Sequence, residues 1–132
     1  MNLDTLRTAI EASWARDTSD DPDNWTSDVP SFGQCAVTSL VVRDYVGGEV
    51  RIARVFSNGE AVDMHCWLEL PDGDVIDWTT EQFDFEYELG EPLDLTPIVD
   101  DTGVDRHRLL AGRVTRALAD TITPSRELVG AG

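Results

Sequence analysis

The chain has 132 residues, enough for one domain to bury a core without disulfide or metal staples. Its 41% hydrophobic content and four tryptophans argue against a disordered chain. Twenty-six acidic residues face ten basic ones, all arginine, for a formal net charge of −16, a surface unsuited to direct nucleic-acid binding, whose phosphate contacts need basic groups.

In chain order, Leu3, Leu6, Ile10 and Trp14 fall at helical spacing and predict an amphipathic first helix. This N-terminus lacks the basic and apolar regions of a secretory signal, and no apolar run is long enough to cross a bilayer; a cytoplasmic protein off the membrane is expected. The Asp-, Ser-, Thr- and Pro-rich stretch DTSDDPDNWTSDVPSFG reads as a loop pinned by Trp25 and Phe32. Residues 35–46, CAVTSLVVRDYV, are rich in β-branched residues, yet Val37, Leu40, Val41 and Tyr45 share one helical face and Gly47-Gly48 supplies a stop. A buried helix is expected there.

Residues 49–56 and 61–70 read as strands. In the second, Val62, Met64, Cys66, Leu68 and Leu70 share one face, and Asp63, His65, Trp67 and Glu69 the other. The turn signal Pro71-Asp72-Gly73 then returns the chain as a partner strand, DVIDWTT. Residues 84–103 form an acidic loop with room for one short element, and a basic amphipathic helix over about 104–119 presents Leu109, Leu110, Val114 and Leu118. Residues 1–105 hold 24 of the acids and half of the arginines, so the basic last helix is expected to dock back onto an acidic body. The whole is predicted to be one α+β domain over 1–132, with helices packed on one face of a small antiparallel sheet.

Within that frame, Cys35 falls at a helix N-terminus. Backbone N–H groups and the helix dipole favour a thiolate there. The same N–H groups, with Gln34 as a side-chain donor, suit the oxyanion formed when a thiolate attacks a carbonyl. Of the two histidines, His107 lies between Arg106 and Arg108 and reads as surface, which leaves His65 as the base. Asp77 is the candidate orienter, and the hairpin register tests it. A three-residue loop with Gly73 in the left-handed conformation pairs Leu70 with Asp74, Trp67 with Asp77 and His65 with Thr79. His65 and Asp77 are then diagonal neighbours on one face, whereas a two-residue loop would turn Asp77 away. Trp67 and Thr79 would border the substrate site. Cys66 points through the opposite face, so neither a Cys35–Cys66 disulfide nor a redox pair is expected.

Each residue also has a plainer role: a buried cysteine as core, a strand histidine as structural, an aspartate as a turn cap. The acidic surplus has bland sources in codon usage or salt adaptation, and sharper ones in a basic protein partner or mimicry of nucleic acid. Two cysteines and two histidines lack the paired spacing of a zinc site, the aspartate pairs lack a calcium-loop pattern, and no Gly-rich phosphate loop is present; no metal or cofactor is expected.

The stretches SWARDTSDDPDNW, GQCAVTSLVVRDYVGGEV, HCWLELPDGDVIDWTTEQF and RHRLLAGRV occur in the order seen in the YunG-like family of small bacterial proteins. The sequence is similar to that family over most of residues 13–83 and more weakly over 106–114. The centre of the resemblance is GQC with its apolar run and GG-E, then H-x-W and D-G-x-x-I-D-x-T-x-x-Q-F. Cys66 stands where an aromatic residue is expected, and Trp78 where leucine is. The resemblance implies a papain-like cysteine hydrolase topology, in the broad sense that includes NlpC-type peptidases and transglutaminase-like folds. That layout places a catalytic cysteine on a helix N-terminus against a sheet that supplies histidine and then an acid, matching Cys35, His65 and Asp77. The expected activity is a cysteine-dependent hydrolase or acyltransferase acting on an amide, isopeptide or thioester, with a peptide or other amide-containing substrate. The alternative is an inactive relative that engages a basic partner through its acidic surface, which rising salt would release.

Overall fold

The structure, a computed structural model, describes residues 2–83, 85–93 and 104–131, with side chains of the last helix over 105–120. Helix α1 (Leu3–Ser13) begins where the Asn2 side chain accepts the Asp4 and Thr5 N–H groups at 2.8 and 3.3 Å, a cap worth about 1 kcal/mol. Its Leu6 and Ile10 are fully buried, while Leu3 lies at the exposed rim. Helix α2 (Cys35–Val46) matches the expected span and buries Val37, Leu40, Val41 and Val42. Helix α3 (Val104–Ala131) runs past the expected end near 119, because the apolar stripe stops at Leu118 while the backbone helix continues. Leu110 and Val114 are fully buried; Leu109, also expected on the apolar side, is partly exposed.

The basic last helix does dock onto the acidic body. Arg113 donates through both terminal nitrogens to the Asp17 carboxylate at 2.7 and 2.6 Å, and His107 Nε2 meets Asp44 Oδ2 at 2.7 Å. Beneath these contacts Leu110 and Val114 join Leu6, Ile10, Leu40, Val41, Val50 and Leu68 in one core. Among the described residues no helix is long and apolar enough to cross a membrane.

Strands β1 (Glu49–Ser57), β2 (Glu60–Glu69), β3 (Val75–Ile76) and β4 (Glu88–Leu89) form an antiparallel sheet in the order β3-β2-β1-β4. Of the predicted acidic loop, residues 84 and 94–103 lie outside the described residues; the remainder holds β4. The pairing of β1 with β2 slips at Val55/Phe56, so Val62 has no partner and is 51% exposed. The apolar face of β2 therefore starts at Cys66 rather than at Val62. Val50, Ile52, Cys66 and Leu68 share that face, against which α2 packs.

The β2–β3 hairpin has the three-residue loop and the expected register. Leu68 pairs with Ile76 and Glu69 with Val75, Leu70 N–H donates to Asp74 O at 2.8 Å, and Gly73 has φ 91°. The returning strand, however, covers only 75–76 and not the whole of DVIDWTT. Trp78 turns to the helical layer, where it packs against the core and carries the Arg7 guanidinium over its ring at 5.8 Å, and this ends the ladder.

Gly48 and Gly73 both have positive φ, but they differ in space. A Cβ at Gly48 would lie 2.6 Å from the Glu69 carbonyl oxygen, whereas one at Gly73 would meet nothing within 4 Å. Gly73→Ala should therefore cost about 1 kcal/mol, and Gly48→Ala at least twice as much, since backbone must also move. Urea melts of the two variants check this ordering, and equal losses would contradict the register described here.

Candidate active site

Cys35 is the first residue of α2, so its N–H and those of the next two residues have no acceptor within the helix. The loop that delivers it is tied down by its own backbone: Asp20 N–H donates to Gly33 O at 2.9 Å and Gln34 N–H to Ser31 O at 3.1 Å. Gln34, expected to point an amide at the oxyanion, does not do so. It is fully buried, and its Nε2 donates to Ala15 O at 3.0 Å, anchoring the loop to the end of α1.

The thiol lies against the edge of β2. Peptide groups along a strand alternate in direction. Because Leu70 N–H faces β3, the N–H groups of Leu68 and Cys66 face that edge too. The ladder ends at the Leu68–Ile76 pair, so the Cys66 N–H has no partner strand, and it and the Cys66 thiol are close enough to Cys35 to shift its titration. The face assignment that kept the two cysteines apart is thereby corrected. Side-chain alternation holds along β2, but Cys35 sits at the strand edge, where residues of either face can be reached. Both cysteines are free and buried.

His65 is fully buried. Its Nε2 lies 2.7 Å from Asp77 Oδ2, so the diagonal pairing expected from the hairpin is present. Phe83 meets the imidazole edge-on at 5.1 Å between centroids, and Trp67 lies tilted against it at 6.1 Å. His65 also lies beside the Cys35 thiol, close enough for each to shift the other's titration. Cys35, His65 and Asp77 thus lie in series, and three separate chain segments supply them.

Electrostatics follow this geometry. Hydrogen bonding from the Cys66 thiol, with that from His65 and the His65 charge, lowers the Cys35 pKa to about 5 against the opposing effect of burial. Burial alone would lower His65, but the bonds to Asp77 and Cys35 outweigh it and raise the imidazole to about 9. Cys66 is pushed strongly up by its bond to Cys35 and by burial, so it remains a thiol and a donor. A thiolate–imidazolium pair is favoured between about pH 5 and about pH 9.

Thr79, expected at the substrate, is buried and serves Gln82 instead. Gln82 Nε2 lies 3.2 Å from Thr79 Oγ1 and 3.3 Å from His65 Nδ1, while its Oε1 accepts the Gly33 N–H at 3.4 Å. The Gly33 donor orients the amide, leaving its nitrogen toward the histidine. Sequence reasoning overlooked Gln82 as a site residue, although it stands in the motif D-G-x-x-I-D-x-T-x-x-Q-F; the 3-10 turn Thr80–Gln82 is what brings it back. His107, read as surface from its flanking arginines, has an acidic partner in Asp44, on the far end of α2 from Cys35. Among the described residues no three His, Cys, Asp or Glu groups are placed to hold a metal ion.

Comparison with known proteins gives a match to the family described as YunG protein over residues 2–119. Uncharacterized protein YunG of Bacillus subtilis (strain 168) is 35% identical over 81 residues, which cover 61% of this chain and 63% of that protein. The chain thus spans less than two thirds of that relative's length. No solved structure matches.

Alkylation by iodoacetamide, read peptide by peptide, should show Cys35 reacting at a nearly constant rate from about pH 6 to 8 and slowing as pH falls through about 5. Cys66 should stay inert. Asp77→Asn removes the charge that raises His65, so the half-rate pH of Cys35 should move upward by about one unit. A Cys35 profile that rises only near the free-thiol value of about 8.5, in both proteins, would contradict the ion pair.

Proposed function

We propose that this chain, which belongs to the YunG protein family, is a cysteine-dependent hydrolase or acyltransferase of papain-like type, cleaving an amide, isopeptide or thioester through an acyl-enzyme on Cys35. The observation that carries the reading is the juxtaposition of Cys35, His65 and Asp77, with the base fully buried and held at 2.7 Å by the acid.

In this mechanism the Cys35 thiolate attacks the carbonyl carbon, and the carbonyl oxygen takes up the negative charge. The Cys35 N–H, at the positive end of α2, donates to that oxygen. Gln82 supplies the second donor in place of Gln34. Gln82 Nε2 lies 3.3 Å from His65 Nδ1. In the thiolate–imidazolium pair Nδ1 carries the proton and donates to the sulfur, so the Gln82 N–H is left to donate to the incoming oxygen. Collapse of the intermediate breaks the carbonyl–leaving-group bond, and His65 passes its Nδ1 proton to the departing amine or thiol. Water, or an amine acceptor, then gives a proton to His65, attacks the thioester and regenerates the Cys35 thiolate and the His65 imidazolium. Asp77 holds the Nε2–H tautomer and stabilises the imidazolium.

The activated ester p-nitrophenyl acetate tests the chemistry before a natural substrate is in hand. Mass spectrometry should find one acetyl group, on Cys35, that disappears with time as the thioester hydrolyses. Cys35→Ala should remove the adduct, and His65→Ala should slow turnover by about 10³-fold or more. Acetylation spread over other side chains, with turnover unchanged in Cys35→Ala, would sink the proposal.

A further inference from the structure

A cleft of about 260 Å³ opens beside His65, and Val29, Phe32, Asp63, Gln82, Phe83 and Phe85 are among its lining residues. Two of these touch the His65 imidazole. Gln82 Nε2 is 3.3 Å from His65 Nδ1, and the Phe83 ring stands edge-on to the imidazole. Phe83 continues into Phe85 at 5.9 Å between centroids, so one wall is aromatic, and Val29 and Phe32 from the 17–33 loop face it. The volume suits one large side chain with its backbone. Gln82 brings an amide from this wall to the His65 imidazole.

Among the described residues that line this cleft none is an arginine and the ionisable one is Asp63, two residues before His65 on the same face of β2. Asp63 Oδ1 accepts the Met64 N–H at 2.8 Å, and Asp63 has no ion pair among the described residues. Asp20 lies on the same side: burial, then the neighbouring Cys35 charge and those of Asp63 and Asp21, raise its carboxyl to about 6 against the pull of Arg106. Asp63 and Asp20 therefore add negative charge beside the Cys35–His65 ion pair.

We infer that this cleft binds the acyl side of the substrate, and that it selects an aromatic or large aliphatic residue carrying a free, positively charged amine, as at the N-terminus of a peptide. The aromatic wall takes the side chain, Asp63 takes the ammonium group, and Gln82 takes the carbonyl oxygen. An acylated or acidic residue at the same place would meet the carboxylates without compensation. The inference rests on the proposed acyl-enzyme at Cys35.

Three thiol-directed reagents test it: phenylalanyl chloromethyl ketone with a free α-amine, its N-acetyl form, and the free-amine glycyl analogue. Rates of Cys35 alkylation are measured at pH 6.5, relative to iodoacetamide. The free-amine phenylalanyl reagent should react about fivefold faster than the N-acetyl form and about tenfold faster than the glycyl one. Added salt should shrink the first ratio, and Asp63→Asn should bring it within about twofold. An N-acetyl reagent that is equally fast, or a preference that survives Asp63→Asn intact, overturns the substrate class while leaving the nucleophile in place. A Cys35 that reacts with iodoacetamide no faster than Cys66 overturns the proposed function, and this inference with it.

Discussion

The arrangement of this site depends on where one short ladder ends. Strands β2 and β3 pair only at Leu68–Ile76 and Glu69–Val75. That is enough to set the register that aims Asp77 at His65, and little enough to leave the edge of β2 open at Cys66. Two more rungs would place residues 77 and 78 where the N-terminus of α2 now meets the strand. The Cys66 N–H would then bond a carbonyl rather than face the Cys35 sulfur. Trp78, drawn to the helical core, peels the chain away at the point where the thiol needs room.

Taking three ionisable groups out of water is costly unless each charge finds a partner. Here the groups answer one another. Asp77 stabilises the imidazolium, the imidazolium stabilises the thiolate, and Cys66 adds a thiol and a backbone donor. Asp77 Oδ1 is left buried with no hydrogen-bond partner among the described residues, a desolvation cost that the short bond from Oδ2 to His65 offsets. Removing one member leaves the others buried and uncompensated, so these side chains are expected to act as a unit.

Much of this was readable in the sequence, for local reasons. The Pro-Asp-Gly loop specifies its own geometry, and through it the alignment of His65 with Asp77 twelve residues later. The spacing of Val37, Leu40 and Val41 outweighed their β-branched character because those side chains face a packed core, which decides helix over strand when propensity is weak. What escaped was set by packing between distant segments. Alternation along β2 gives the direction of Cys66 but not the approach of another element at the strand edge. Gln34 and Gln82 are both amides near the cysteine by some measure of sequence or space. Only the path of the 17–33 loop shows that the first anchors Ala15 while the second reaches His65. Thr79 likewise looked like a rung of a strand, and is instead the start of the turn that delivers Gln82.

The central claim is that His65 is an imidazolium paired with a Cys35 thiolate at neutral pH. Nitrogen-15 NMR of the histidine side chains reports it directly. The account predicts that at pH 7 both ring nitrogens of His65 carry protons, that they titrate near pH 9, and that Cys35→Ser moves this titration downward by removing the thiolate charge. A neutral His65 ring at pH 7, with a titration near the ordinary value of about 6.5 and indifferent to Cys35→Ser, would contradict it.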